Sequence, residues 1–142
     1  ETEAYGSAIK THLEVKEIAL IPVLRVIKKE IAEPCALARF HRFNRQKASE
    51  LERKCRKLKE TDQQVAQLPD IRRTILCLVE HGLAWIYVNK GANSLKNGLI
   101  HLLKQCDDVT SDIVEGKTNV GSRVAVLDSA LTKMLEQIKK AM

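Results

Sequence analysis

Nine basic residues fall between Arg39 and Lys59: Arg39, Arg42, Arg45, Lys47, Arg53, Lys54, Arg56, Lys57 and Lys59. Only two acids, Glu50 and Glu52, stand among them. The stretch therefore holds seven net positive charges in a chain whose total is +6, so everything outside it sums to about neutral. A field this local selects an anion as partner: an acidic protein surface or helix, lipid headgroups, or nucleic acid. A helical wheel centred on Leu51 and Cys55 places Arg42, Arg45, Arg53 and Arg56 on the outer side. Arg39 and Lys57 fall beside them, and Lys47 and Lys54 on one flank. A face kept polar only for solubility normally mixes both signs. The excess here favours a docking face over a solvated one.

The other reactive residue types are placed poorly for chemistry. Gly116-Lys117-Thr118 resembles the end of a phosphate loop, but the position five residues before Gly116 is Ser111, not glycine. The residues between belong to an amphipathic helix rather than to a strand-to-helix turn. Gly116 reads instead as a helix cap. His12, His41, His81 and His101 form no H-x-x-x-H or H-E-x-x-H pair, and Glu80-His81 stands alone. Asp107 and Asp108 are neighbours on a helix and point to different faces, unsuited to shared acid–base work. No nucleophile elbow or glycine-rich oxyanion loop is present. We expect no enzymatic activity, no cofactor and no metal. Trp85 and Tyr87, near Gly82 and Gly91, read as core packing in preference to a ligand pocket.

The elements that must position the basic face are helices. Ile9, Leu13, Leu20, Leu24, Ile27 and Ile31 make one stripe over a first helix of about Glu3 to Glu33, with Pro22 kinking or dividing it and Pro34 closing it or opening the next. Leu37, Phe40, Asn44, Ala48, Leu51, Cys55, Leu58 and Val65 predict one long second helix, Pro34 to Gln67. Ile71 to Val88 is apolar on more than one face and should be the most buried element. Pro69-Asp70 precedes it, and Ser94 is placed to cap the next helix. Leu95, Leu99, Leu102, Cys106, Val109 and Ile113 define that fourth helix, and Val120, Val124, Leu127, Leu131, Met134 and Ile138 the last. The expected fold is all-α: an up-and-down bundle of four to five helices in a single domain spanning 1–142, with a long, coiled-coil-like basic second helix.

Composition agrees with this. The chain is 44% hydrophobic and 30% charged, with six Gly, three Pro and 4% aromatics, against the turn-rich, aromatic-rich pattern of a β-sandwich. Cys35, Cys55, Cys77 and Cys106 form no C-x-x-C pair, and three of them sit among apolar residues, which suits free thiols in a reducing compartment. No signal peptide or membrane-spanning run is visible, so a cytoplasmic location, with membrane association as an option, is the expectation.

His12-Leu-Glu-Val-Lys-Glu-Ile, Pro22, Glu30-Ile31 and the basic Arg39 to Leu58 together resemble the second helix of membrane-curving Bin/amphiphysin/Rvs domains. The resemblance covers roughly a third of the chain. It implies a dimeric, crescent-shaped coiled coil that binds anionic membranes through Lys and Arg. The chain is short for that fold, and Gly116 to Gly121 introduces a further helix.

The favoured expectation is a non-enzymatic helical-bundle module that binds another protein, as an adaptor or scaffold, through the basic face or an apolar groove. Self-association as a homodimer is a further option. A peripheral membrane module using the same face on anionic lipid is the alternative. Nucleic-acid binding ranks third, because Phe40 and Phe43 are the only aromatics nearby and Phe40 lies on the predicted core stripe.

Overall fold

The computed structural model describes residues 31–59, 62–89, 94–117 and 119–141. Among them all regular secondary structure is helical, without strands. Helical residues 31–43 form α1, followed by α2 (Arg45–Leu58) and a 3-10 turn (Gln63–Gln67). Then come α3 (Leu68–Val88), α4 (Lys96–Val114) and α5 (Gly121–Ala141). No described helix is long and apolar enough to cross a membrane. The predicted first helix, with Pro22, lies outside the described residues except for its last positions. From 31 onward the helix runs through Pro34 without a break.

The core follows the apolar spacing in the second half of the chain. Leu99, Leu102, Cys106, Val109 and Ile113 of α4 are buried, as are Val120 and α5 residues Val124, Leu127, Leu131, Met134 and Ile138. Steps of three and four residues keep each series on one side of its helix, and burying that side is what drives the two together. Fourteen of the 21 residues of α3 are buried, so α3 is the inner element that α2, α4 and α5 all pack against. Ser94 is not the cap of α4: Leu95 occupies that position, and its side chain makes no capping hydrogen bond.

Two glycines have a definite task. Gly116 ends α4 with φ +87°, a conformation that costs other residues a Cβ clash. Its amide bonds Ile113 O (3.0 Å) and the Lys117 amide bonds Asp112 O (2.9 Å). This is the paired closure of a Schellman cap. Lys117 Nζ then reaches the Asp112 carboxylate at 3.0 Å. Gly121 opens α5 where the Asp62 carboxylate lies so near that a Cβ would collide with it. That negative group sits at the positive end of the α5 dipole while also capping the 3-10 turn through Gln64 N.

The long second helix is not observed. The stretch is broken at Asn44, whose Oδ1 accepts from Lys47 N (3.1 Å) as the N-cap of α2. It ends again at Leu58, before the 3-10 turn. Ala38 of α1 and Leu51 of α2 are both fully buried. In one continuous helix, positions 13 apart would point about 140° away from each other. Burying both therefore requires a break between them, and Asn44 supplies the side chain that stabilises one.

The break also resets which side of α1 faces inward. The inner series is Ile31, Cys35, Ala38 and Arg42, while Leu37 and Phe40 point to solvent. Phe40 is thus not a core residue, and Asn44 is a cap and not part of an apolar stripe.

Candidate functional site: the basic surface of α1 and α2

Two helices carry eight of the nine basic residues, with Lys59 just past the end of α2, and their surroundings differ. On α1 the inward position falls to Arg42, which is met by the one acid set in the middle of α3. Glu80 has a side chain only 5% exposed. Arg42 Nη2 donates to its Oε2 at 2.7 Å, and the same oxygen lies 3.2 Å from His81 Nε2. Arg39 Nε is 3.9 Å from the other oxygen, an ion pair without a hydrogen bond. Cys35 donates its thiol to the Glu80 carbonyl oxygen at 3.1 Å. A carboxylate this deep is tolerated only with cationic partners, so Glu80 and Arg42 anchor α1 to α3 as a unit. The Arg42 guanidinium also lies 4.6 Å from the Phe43 ring centroid.

Next to this anchor the chain turns. The carbonyl of His41, near the end of α1, accepts from the Asn44 amide (3.2 Å) and from Nη2 of Arg72 (3.3 Å), a buried arginine of α3. Breaking a helix leaves carbonyls without partners, and Arg72 answers one of them. His41 Nε2 and Lys47 Nζ each stand 3.7 Å from Asp107 Oδ1 of α4. Burial holds the protonation of His41 below its ordinary value of 6.5, against the opposing pull of Asp107.

Along α2 the pattern changes. Arg45, Arg53, Arg56 and Lys57 are exposed, and Lys54 is half-buried. Among the described residues none of these five has an ion-pair partner. Leu51 and Cys55 hold the opposite side in the core and fix the orientation of the face. Of the two local acids, Glu52 is occupied by Arg73 of α3 at 3.3 Å. Arg56 and Lys57 close the last turn of α2, where the helix dipole favours cations.

The predicted face is therefore divided. Arg45, Arg53, Arg56 and Lys57 lie together on the outside, with Lys54 at the edge. Arg39 stands on α1 with one side to Glu80 and 55% of its side chain exposed. Arg42 is not on the outer side as expected, because the phase change at Asn44 turns it inward. Lys47, in the first turn of α2, lies 3.7 Å from Asp107 of α4.

Sequence reasoning overlooked Glu80. Its signal was a single acid inside Leu76-Cys77-Leu78-Val79-Glu80-His81-Gly82, which in a buried helix demands a cation from elsewhere. Burial pushes the Cys55 thiol up to about 11 and the Cys106 thiol up to about 12, which makes these two poor nucleophiles, and neither is in a disulfide. The chain matches no protein-family model, no curated protein and no solved structure.

Proposed function

We propose that this chain is a non-enzymatic interaction module, an up-and-down helical bundle that presents the outer face of α2 to an acidic surface or helix of another protein. The observation that supports this reading is the contrast in pairing. Arg39 and Arg42 pair with the buried Glu80 and Lys47 with Asp107, whereas Arg45, Arg53, Arg56 and Lys57 stand exposed without an ion pair among the described residues. Their backbone is fixed by the buried Leu51 and Cys55, so the charges form a rigid array rather than a tail. Rigid charge of one sign steers an oppositely charged partner and sets its register.

The test is charge reversal on the exposed face alone, R45E/R53E/R56E/K57E. Binding of a fluorescent Glu-rich peptide, of phosphatidylserine vesicles and of a DNA oligonucleotide is measured at several salt concentrations. The native chain is expected to prefer the peptide and the variant to lose about tenfold or more at low salt. Preference for vesicles or for DNA would replace this reading with the lipid or nucleic-acid one. Equal behaviour of variant and native chain would reduce the face to a solvated surface.

A further inference from the structure

Large exposed apolar side chains are few among the described residues: Leu37, Phe40, Phe43 and Val126. Three of these four fall within seven residues of α1, which makes a patch rather than a scatter. Phe40 is 64% and Phe43 60% exposed. Together with Ala36, Arg39 and Asn44 they line a shallow depression at the end of α1. Its walls are aromatic and its rim is cationic. Arg39 and Arg42 share the single carboxylate of Glu80, which leaves a net positive charge beside the rings. Arg39 makes no hydrogen bond to that carboxylate, and over half of its side chain reaches solvent. Arg45, the first residue of the α2 face, follows Phe43 by two positions.

We propose that this notch is the second half of the docking site and seats one bulky apolar side chain, flanked by carboxylates, from an acidic partner segment. The proposal rests on the reading of α2 as a docking face for acidic protein and adds the partner's sequence character. Aromatic walls favour an aromatic or long aliphatic guest, which gains both burial and ring contact. A carboxylate beside the guest meets Arg39 on the rim, where Arg geometry permits a two-point contact.

Two Glu-rich peptides test this, one with a central Phe and the other with Ala at that position. Each is titrated by fluorescence anisotropy against the native chain, F40A/F43A and R45E/R53E/R56E/K57E. The native chain is expected to bind the Phe peptide about tenfold tighter. F40A/F43A should bind both peptides alike, with an unchanged salt dependence, while charge reversal weakens both. Both substituted phenylalanines are solvent-facing, and helical content by circular dichroism verifies that the variant folds. Equal affinity of the native chain for the two peptides overturns the notch and leaves the α2 reading standing. Failure of both peptides to bind overturns the two together. Sedimentation with phosphatidylserine vesicles that depends on Phe40 and Phe43, without discrimination between peptides, assigns the notch to lipid. A light-scattering mass that falls from dimer to monomer in F40A/F43A assigns it to a second copy of this chain.

Discussion

The two ends of the basic stretch have similar composition and opposite roles. On α1, Arg39 and Arg42 face the buried Glu80 of α3, and their charge holds the helix in place. Along α2, Arg45, Arg53, Arg56 and Lys57 face solvent, and their charge is available to a partner. What separates them is the helix phase, which Asn44 resets between two short segments. Charge density along a sequence therefore says where a field is, whereas the inward series of each helix says which charges contribute to it.

The largest effect should come from removing the acid that defines the internal set. Glu80→Ala leaves Arg42 without its counter-charge beside a buried histidine, and should cost about 2 kcal/mol of stability by denaturant unfolding. That is less than for a fully enclosed pair because Arg42 retains some exposure. A loss below about 0.5 kcal/mol, the usual range of surface substitutions, would erase the distinction between the two sets.

A smaller effect is expected from pH. Burial lowers the protonation of folded His41 below 6.5, so between the two values the unfolded chain holds a proton that the folded chain does not. Stability is then full above pH 6.5 and declines as pH falls below it. Replacing His41 by Gln should flatten that decline in thermal melts recorded across mildly acidic pH. An unchanged slope would place the pH response elsewhere.

The smallest change in stability belongs to the outer set. R53A/R56A should shift the unfolding free energy by no more than about 0.5 kcal/mol, since exposed charges without partners contribute little to the fold. A shift near that of Glu80→Ala would show these arginines to be structural, and the comparison would fail.

The helices α4 and α5 were readable because nothing interrupts their 3-4 spacing, and the Gly116 cap because few residues adopt its φ. The site was half readable. Arg45, Arg53, Arg56 and Lys57 follow from the position of Leu51 and Cys55 within one helix. Arg42, Phe40 and Glu80 did not, because Leu37, Phe40, Asn44, Ala48 and Leu51 form an acceptable stripe if the helix is continuous. Local spacing was satisfied equally by the continuous helix and by the broken one. The decision came from Glu80, 38 residues beyond Arg42, and from the fully buried Ala38. Contacts at that separation leave no trace in a periodicity.

The Asn44 joint has a consequence for how this chain could change length. Adding one residue inside an unbroken helix turns everything after it by about 100° and scrambles which side chains meet the core. At Asn44 the hydrogen-bond ladders of two helices meet, and each helix has its own attachment: Arg42 to Glu80 on one side, Leu51 and Cys55 on the other. An insertion there can be taken up as a longer corner while both neighbours keep their register. Added length at the joint would leave the inner series of both helices in place, provided that Asn44 stays as the cap of α2.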